Sequence, residues 1–553
     1  MSHANGPRTG RPPILASRAM VSSPHYLASA SGLDVLRRGG SAVDAMIAVN
    51  ATLCSVYPHM TGVGGDGFWL IAGPDTGGVQ ALHAAGPAAG AATRDYFRER
   101  GRTEKIPERG PLAVLTMPGA VDGWRLAHER HGRLPWADLF ADAIAYARDG
   151  VAVSRSLADW LAADAGILKQ YPHTARIYLP EGRPRREGAR LVQADLARTL
   201  ETIATRGARA GFYEGALARR ICDALAAEGS PLRVEDFAGY HAKWVEPISA
   251  SYRAHDVVQM PPSTQGFAAL QIMNLLDGFD VPSWGEGTAD YYHHIVEAIK
   301  VAFADRDEWL SDPRFIDIPL QRLLSKEYAA QRRALIDPAR ATAGADIRPG
   351  LRYGADADRR APDGDTVYSC ATDADGLVVS NIQSIYHDFG SAVVAGDTGV
   401  LMQNRGCFFS LDDRHPNRLE PGKVTFHTII PAMLLRDGAP VLAYGTMGGE
   451  GQPQTQAALL TRLIDFGFDV QQAIEAPRWL MGRTWGTASS SLVLESRISD
   501  ETIRELILRG HPVTVAPRWE GTVGHAQAIR IDRDNGFFEG GADPRGDGAA
   551  MGF

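Results

Sequence analysis

The stretch DTVYSCATDADGLVVSNIQSIY, residues 365–386, decides how the rest of the chain is interpreted. Residues 366–372 form a strand-like run, and residues 373–376 (DADG) are a turn signal. Residues 377–385 form a second run that is rich in β-branched and apolar side chains. This pattern predicts a β-hairpin.

The hairpin predicts which residues face each other. If Thr372 pairs with Leu377, Thr366 lies opposite Gln383. Ser384 then lies diagonal to Thr366, unless a bulge shifts the strands. Two hydroxyl side chains are therefore expected close together at the start of the hairpin.

The segment before the hairpin, residues 341–365, consists mainly of Gly, Ala, Asp, Arg and Pro. Such a stretch inside a compact chain is unusual and tends to be functional or disordered. One interpretation is a domain linker, which composition alone favours. The other is a linker cut between Asp365 and Thr366. A new N-terminal Thr carries a nucleophilic hydroxyl and its own base, the α-amine, with a reference pKa of about 7.7–8.0.

Composition restricts the function classes. The 553 residues, 44% hydrophobic and 22% charged, are ordinary for a globular protein and allow two or more lobes. The net charge of −8 argues against a nucleic-acid partner. Four cysteines are too few for a disulfide scaffold and lack metal-ligand spacing, so we expect buried free thiols at Cys54, Cys222, Cys370 and Cys407.

The first twenty residues are polar and broken by Pro and Gly, without the apolar region of a signal peptide. No apolar run is long enough to cross a membrane. We therefore expect a cytoplasmic protein with no membrane partner.

Upstream, residues 24–58 have helical periodicity, with Ser41 as a plausible N-cap of a second helix. Glycines 62, 64 and 67 match the dinucleotide-binding pattern G-x-G-x-x-G. That motif must follow a strand and open a helix, whereas here it follows a helix and leads into a strand. We interpret it as a turn where backbones pack closely. Residues 119–340 are mainly helical by pattern.

Several spaced motifs resemble the γ-glutamyltransferase family of N-terminal-nucleophile hydrolases, enzymes that cut themselves to expose a Thr. The likeness covers nearly the whole chain. The motifs are VLRRGGSAVDA (35–45), TGVGGDGF (61–68), PGAVDGW (118–124), AFADR (302–306), the hairpin itself, YGTMGG (444–449) and ADPR (542–545).

The resemblance implies a fold, a division of the chain and a catalytic set. It implies an α/β (α+β) four-layer αββα sandwich with a largely helical lobe; the pattern alone gives only mixed α/β. It implies a large subunit, residues 1–365, and a small subunit, residues 366–553, produced by cleavage between Asp365 and Thr366. Thr366 would be the nucleophile, Ser384 the assisting hydroxyl, and Gly448 and Gly449 the oxyanion hole. No metal or cofactor is implied.

The substrate pocket departs from the true γ-glutamyltransferases. The positions that hold the substrate ammonium in relatives become Tyr386, Arg405 and Phe408 here, so the acidic partner is gone. The carboxylate-binding positions become His427, Thr428 and His83. This pattern resembles the amidohydrolases of the family, such as oxamate amidohydrolase, and the cephalosporin acylases. Arg405 suits a substrate carboxylate; the alternative is a structural ion pair.

We therefore predict a self-processing Thr amidohydrolase or acyltransferase whose partner is a small amide bearing a carboxylate. One alternative is a true γ-glutamyltransferase that hydrolyses glutathione with a rebuilt pocket. An alternative from another class is an uncleaved relative kept as a binding protein. The sequence leaves the leaving group and the oligomeric state open.

Overall fold

A computed structural model describes residues 10–353, 365–482 and 491–553. Most of its strands belong to two seven-stranded sheets. In chain order the strands are β1 (Ile14–Ala16), β2 (Met20–Ser23), β3 (Asp66–Ala72), β4 (Gln80–Ala84), β5 (Val151–Ala152), β6 (Arg190–Leu191), β7 (Lys243–Val245), β8 (Ile248–Tyr252), β9 (His255–Gln259), β10 (Asp365–Thr372), β11 (Val378–Tyr386), β12 (Ala432–Arg436), β13 (Ala439–Thr446), β14 (Trp479–Met481), β15 (Leu492–Glu495), β16 (Val513–Ala516), β17 (Ala526–Asp532), β18 (Phe537–Ala542) and β19 (Ala549–Gly552).

The two large sheets are antiparallel and pack face to face. Sheet A has the strand order β1-β18-β17-β13-β12-β9-β8, and sheet B the order β19-β2-β10-β11-β3-β4-β7. The central strand β10 of sheet B lies against β13 and β17 of sheet A. Alternate side chains of both sheets fill the space between them, as expected for a sandwich core. They include Phe68, Leu70, Tyr368, Cys370, Ile382, Met433, Ala443 and Ile529.

Helices cover both outer faces. In chain order they are α1 (Tyr26–Arg37), α2 (Ala42–Val56), α3 (Arg94–Arg98), α4 (Ala120–His131), α5 (Ala141–Asp149), α6 (Arg155–Ala163), α7 (Ala165–Leu168), α8 (Pro172–Tyr178), α9 (Ala194–Ala208), α10 (Ala216–Ala227), α11 (Val234–Gly239), α12 (Gly266–Leu276), α13 (Ala289–Trp309), α14 (Leu320–Leu323), α15 (Lys326–Arg333), α16 (Gly451–Leu460), α17 (Val470–Glu475) and α18 (Asp500–Leu508). Helices α1 and α2 pack on sheet B, and α12, α16 and α17 on sheet A. The predicted four-layer αββα sandwich is confirmed, and α3–α11 form the helical lobe.

The local predictions upstream of the hairpin hold. Ser41 caps α2 and forms a capping box with Asp44. The glycine-rich turn leads into β3, and its backbone packs closely against neighbours: a Cβ on Gly64 would lie 2.3 Å from the Leu401 carbonyl oxygen. All four cysteines are buried and free. Within the described ranges, no helix is long and apolar enough to cross a membrane.

The predicted hairpin register is wrong by one residue. Thr372 pairs with Val378 rather than Leu377. The cause is the carboxylate of Asp373, whose Oδ1 accepts a 3.0 Å hydrogen bond from the amide of Leu377 and adds that residue to the turn. Val367 pairs with Gln383 and Asp365 with Tyr386, so Thr366 lies at a bulge, across from Ser384 and Ile385.

The stretch predicted to be a featureless linker is anchored in its first half. Thr342 N donates to Glu297 Oε2 (3.1 Å), and Gly350 N donates to Asp305 Oδ1 (2.8 Å), both on α13. Trp309 of the same helix donates to the Leu351 carbonyl (3.2 Å). Residues 354–364 lie outside the described residues, so the linker and its cleavage stay predictions.

Candidate active site

The candidate catalytic residues lie at one end of the sandwich. In sheet B, β10 begins and the antiparallel β11 ends at this edge, which brings Thr366 beside Ser384. Ser384 also pairs with Asp66 at the start of β3. In sheet A, β13 ends at the same side. This follows from the contact between the ring of Tyr368, near the start of β10, and Gly445, near the end of β13. Four strand ends therefore converge around Thr366.

Thr366 and Ser384 are both buried, at 1% and 0% exposure. Ser384 Oγ accepts hydrogen bonds from Tyr386 N (2.8 Å) and Arg405 Nη2 (3.1 Å). Gln452 Nε2, on the first turn of α16, lies 3.5 Å from Thr366 Oγ1. The side-chain amide thus joins the start of α16 to the threonine.

Gly448 and Gly449 form the connection between β13 and α16. Their φ angles are +115° and +49°, a region that glycine adopts without a Cβ clash. The connection is fixed on both sides: Met447 N donates to His525 O (3.1 Å), and Gln265 Nε2 donates to Gly449 O (3.0 Å). Among the described residues, neither glycine amide donates to an acceptor. Both N–H groups can therefore serve an external oxyanion.

Arg405 is a fully buried cation whose hydrogen bonds go to hydroxyl groups. Nη1 donates to Thr428 Oγ1 (3.2 Å) and Nη2 to Ser384 Oγ (3.1 Å). Its guanidinium lies over the ring of Tyr386, 4.5 Å from the centroid, and burial lowers the pKa of Arg405 to about 10. No carboxylate of the described chain lies within 4 Å of it, and Nε has no hydrogen-bond partner there. The structural ion pair considered for Arg405 is absent from these residues.

His427 is joined to Asp66 by a hydrogen bond. His427 Nε2 lies 3.1 Å from Asp66 Oδ2, and Nδ1 lies 2.8 Å from the carbonyl oxygen of Thr425. Burial lowers the pKa of His427, and the hydrogen bond to Asp66 opposes this shift without cancelling it. Asp66 also raises the pKa of Arg405, against the larger effect of burial, although its carboxylate does not contact the guanidinium. Arg405 is the cation of the pocket, and Asp66 is an acid at its border.

Asp66 is the residue that the sequence interpretation missed. It is fully buried, and its Oδ1 accepts hydrogen bonds from Gly86 N, Gly119 N and Gln403 Nε2 (3.3, 3.1 and 3.1 Å). This carboxylate ties the glycine-rich turn to three other segments. The available signal was an acidic residue inside TGVGGDGF, between a glycine turn and an apolar strand.

The structure gathers most of the predicted substrate residues. Phe408 stacks against Tyr386, with ring centroids 4.4 Å apart, and both rings face the Arg405 guanidinium. His83 is separated from His427 by the ring of Phe68, which contacts both imidazoles edge-on. Arg405, Tyr386, Phe408 and Thr428 therefore form one cluster, His427 borders it through Asp66, and His83 lies behind Phe68.

Acidic side chains of the neighbouring loop are already paired. Asp413 contacts Arg94 (2.6 Å) and Arg98 (3.6 Å), and Asp412 contacts Arg414 (2.9 Å). Neither carboxylate reaches Arg405. Asp66 is the described acid that borders the pocket, and its oxygens already accept hydrogen bonds from Gly86, Gly119 and Gln403 and contact His427.

One buried group of side chains in the described ranges has metal-ligand spacing: His293, Glu297 and His511. The two imidazoles are hydrogen-bonded to each other (2.8 Å), and the Lys300 ammonium lies 2.7 Å from Glu297 Oε1. This cation already neutralises the carboxylate, so we interpret the group as a hydrogen-bonded link between α13 and the segment after α18.

Comparison with known proteins agrees with the geometry. The sequence model of the gamma-glutamyltranspeptidase family matches residues 28–553. The glutathione hydrolase-like YwrD proenzyme of Bacillus subtilis is 45% identical over 540 residues, covering 98% of this chain and 99% of that protein. The oxamate amidohydrolase proenzyme of Klebsiella pneumoniae is 42% identical, with the same coverage. The crystal structure of cephalosporin acylase from Bacillus halodurans superposes with a TM-score of 0.91 at 35% identity, covering 100% of this chain and 99% of the other.

Proposed function

The chain belongs to the gamma-glutamyltranspeptidase family, and from this premise we propose that it is a self-processing threonine amidohydrolase. In this proposal it cuts itself between Asp365 and Thr366 into a large subunit, residues 1–365, and a small subunit, residues 366–553. The processed enzyme then cleaves a small amide that bears a carboxylate. Transfer to an amine and the cytoplasmic location stay predictions.

The observation that carries the substrate class is the environment of Arg405. Burying an isolated charge is costly unless a counter-charge accompanies it. Arg405 is fully buried, its hydrogen bonds go to hydroxyl groups, and no carboxylate of the described residues lies within 4 Å of it. A bound carboxylate supplies the missing negative charge and fits the guanidinium as a bidentate partner.

Self-cleavage uses Thr366 as an intramolecular nucleophile. Its Oγ attacks the carbonyl carbon of Asp365, and the bond from that carbon to the Thr366 nitrogen breaks as the new C–O bond forms. The hydroxyl proton passes to the nitrogen. Water then hydrolyses the ester, which regenerates the hydroxyl and leaves a free α-amine.

Amide hydrolysis repeats this chemistry on an external substrate. The α-amine of Thr366 accepts the hydroxyl proton as Oγ attacks, and the amides of Gly448 and Gly449 donate to the oxyanion, where one donor is worth about 2.7–4 kcal/mol. Ser384 accepts hydrogen bonds from Tyr386 and Arg405, and in this proposal its O–H donates toward the hydroxyl of Thr366 during the attack. The proton then goes to the leaving amine, and water resolves the acyl-enzyme.

The same charges select against a γ-glutamyl group. Its α-ammonium needs an anion, but this pocket offers Tyr386, Phe408 and the cation of Arg405. Two like charges 4 Å apart repel by about 4 kcal/mol at an effective dielectric near 20. We therefore propose that the preferred acyl group carries a carboxylate and no ammonium.

Processing is tested with purified Thr366→Ala and Thr366→Ser proteins. The wild type and Thr366→Ser are expected to give two bands on a denaturing gel, and Thr366→Ala a single full-length band. A Thr366→Ala protein that still yields a fragment starting at residue 366 contradicts self-cleavage. A single band from the wild type favours an uncleaved binding protein.

The substrate class is tested with a γ-glutamyl amide and its des-amino counterpart, a glutaryl amide, on processed enzyme. We expect a higher kcat/KM on the glutaryl amide, and loss of that activity in Arg405→Ala. A preference for the γ-glutamyl compound or for glutathione refutes the proposed pocket and favours a glutathione hydrolase.

A further inference from the structure

We propose that Gln265 is a positioning residue of the candidate oxyanion hole. Together with Arg306, it holds the Gly448–Gly449 connection in the orientation that presents the two glycine amides to the substrate. This inference rests on the proposed amidohydrolase function. It gives a role to two segments outside the proposed catalytic set, PPSTQG (261–266) between β9 and α12, and AFADR (302–306) on α13.

The side chain of Gln265 makes three hydrogen bonds in the protein interior. Its Nε2 donates to the carbonyl oxygen of Thr428 (2.7 Å) and to that of Gly449 (3.0 Å). Its Oε1 accepts from Arg306 Nη1 (3.1 Å), and the residue has 0% exposure. An amide NH₂ group has two hydrogens, so both are used here.

Arg306 determines which way this amide faces. A guanidinium only donates and a backbone carbonyl only accepts, so Oε1 must face Arg306 and Nε2 the two carbonyls. Arg306 is itself fixed, because its Nε donates to Asp307 Oδ1 (2.8 Å). Its Nη2 donates to Oε1 of Glu450 (3.2 Å), the residue after Gly449. Gln265 and Arg306 therefore hold two successive residues of the connection.

These contacts bear on the direction of the glycine amides. In a planar trans peptide the N–H points away from the C=O of the same unit. The amide of Gly449 shares its peptide with the carbonyl of Gly448, which accepts from Gly451 N (2.7 Å). The chain between these two groups passes through the residues that Gln265 and Arg306 hold. Glycine peptides rotate easily, so this connection depends on such anchors.

A short series of contacts joins Gln265 to the nucleophile. The carbonyl oxygen of Gly449 accepts from Gln265 Nε2 and also from Gln452 N (3.3 Å). The side chain of Gln452 lies with Nε2 3.5 Å from Thr366 Oγ1, and its Oε1 accepts from Ile430 N (3.0 Å). The carbonyl that Gln265 binds is therefore one hydrogen bond away from the residue that reaches Thr366.

The carboxylate side of the pocket is held by separate backbone bonds. Gln265 N donates to the carbonyl oxygen of His427 (3.0 Å), and His427 N donates to that of Ser263 (2.8 Å). These bonds do not depend on the side chain at position 265, so Thr428 keeps its place beside Arg405 without that amide. Loss of the amide should therefore act on the glycine connection more than on binding of the substrate carboxylate.

The test compares processed wild type with Gln265→Met, which keeps the length of the side chain and removes its three hydrogen bonds. The substrate is glutaryl amide. Loss of one oxyanion donor lowers kcat about 10²- to 10³-fold, and donors that are misaligned rather than absent lose part of that. We therefore expect kcat to fall about tenfold and KM to stay within about twofold of wild type. The oxyanion forms in acylation and in deacylation, so this fall is expected whichever step limits the rate.

Gln271→Met is the matched control, because Gln271 is a buried glutamine on the same helix, α12. Its Nε2 lies 3.2 Å from Asp305 Oδ2 and 3.3 Å from the carbonyl oxygen of Leu323, so the substitution also removes buried hydrogen bonds. Both variants are expected to lower the urea midpoint by similar amounts, but only Gln265→Met should lower kcat.

Three outcomes overturn the inference. An unchanged kcat in Gln265→Met, or a rise in KM alone, removes the positioning role while the amidohydrolase activity stands. An equal fall of kcat in Gln271→Met also removes it, because the cause is then a general weakening of α12. A processed wild type that does not hydrolyse glutaryl amide overturns the proposed function and this inference with it.

If Gln265→Met does not fold or is not processed, Arg306→Lys decides the question. Lysine keeps a positive charge beside Glu450 but cannot make both guanidinium contacts, so kcat should fall about threefold with KM unchanged. Arg306→Lys with the kcat of wild type overturns the proposal.

Discussion

Arg405 and Arg545 are both buried arginines, but their surroundings differ in charge. The Arg545 guanidinium donates to Glu495 Oε1 and Oε2 (2.8 and 2.7 Å) and to Asp543 Oδ1 (3.0 Å). Although burial lowers the pKa of Arg545, these carboxylates raise it above its usual value. Arg405 has hydroxyl partners instead, and burial lowers its pKa.

This difference distinguishes a buried arginine that stabilises the fold, Arg545, from one that is a candidate for binding substrate, Arg405. Arg545 is one of three arginines that contact two carboxylates, since Arg478 contacts Asp543 (2.5 Å) and Arg497 contacts Glu495 (2.6 Å), so each of these guanidinium groups has a carboxylate partner within the chain. Arg405 contacts no carboxylate among the described residues and lies beside a candidate nucleophile. Because an isolated buried charge is costly, a position that retains one is a candidate for binding an external counter-ion.

The largest expected effect is on activity in Arg405→Met. Removing the partner of a buried carboxylate costs about 3–5 kcal/mol, so kcat/KM on a carboxylate-bearing amide should fall about 10²- to 10⁴-fold. The urea midpoint should stay within the range of ordinary surface variants, because no protein carboxylate loses its partner. Steady-state kinetics and urea unfolding measure the two effects. A large loss of stability with unchanged activity in processed protein would place Arg405 with Arg545.

Arg545→Met should show the opposite pattern. The substitution leaves Glu495 and Asp543 buried with less compensation, so the free energy of unfolding should fall by about 3–5 kcal/mol. Arg545→Lys is the matched control and should recover part of the loss, because it restores the charge without the bidentate geometry. An Arg545→Met protein with the same urea midpoint as wild type would contradict a structural role for Arg545.

The sequence could predict the fold better than the pocket. Periodicity and the turn signals located α1, α2 and the hairpin, since these depend on local pattern. The register failed by one residue because the Asp373 carboxylate recruits Leu377 into the turn, a choice that DADG alone does not determine.

The pocket depends on contacts between residues far apart in the chain. Asp66 and His427 are separated by 361 residues, and the Thr425 carbonyl lies on the other side of the imidazole. Likewise, both the ion-pair and the substrate-binding interpretation of Arg405 were open until its neighbours were known. Residue identity gave the candidates, but the tertiary arrangement gave their charge balance.

A third cluster tests the charge rule in the opposite sense, since carboxylates outnumber cations there. Arg109 lies 2.9 Å from Asp388 and 3.9 Å from Asp164. Burial, together with Asp388, raises the pKa of Asp164 to about 9. Here the extra negative charge is removed by protonation of Asp164. At Arg405 we propose instead that a bound substrate carboxylate supplies the counter-charge.

The proton at Asp164 should make stability depend on pH. The unfolded carboxyl has a pKa near 3.9, so between about pH 4 and 9 the folded state binds one proton more than the unfolded state. The free energy of unfolding contributed by this group is fully present below the unfolded pKa and falls by up to about 1.4 kcal/mol per pH unit as pH rises toward 9. Asp164→Asn, a neutral isostere, should lack this slope. Urea unfolding of both proteins at pH 6 and pH 8 measures this slope. If the two proteins show the same pH dependence, Asp164 does not hold the extra proton.

The smallest expected effect separates the two hydroxyl partners of Arg405. Thr428 and Ser384 each accept one hydrogen bond from the guanidinium, at 3.2 and 3.1 Å, but only Ser384 belongs to the hairpin strand that faces Thr366, at the bulge. Thr428→Val keeps the shape and removes a hydrogen bond worth about 1–1.5 kcal/mol, so KM for the carboxylate-bearing amide should rise about five- to tenfold with kcat unchanged. Ser384→Ala removes the same kind of bond together with the hydroxyl beside the nucleophile, so it should lower kcat as well. If both variants change KM alone, Ser384 only orients Arg405 and takes no part in the chemistry. If both variants lower kcat, Arg405 acts in the transition state rather than in substrate binding. Arg405 would then differ from Arg545 because it takes part in the reaction, not because it binds a substrate carboxylate.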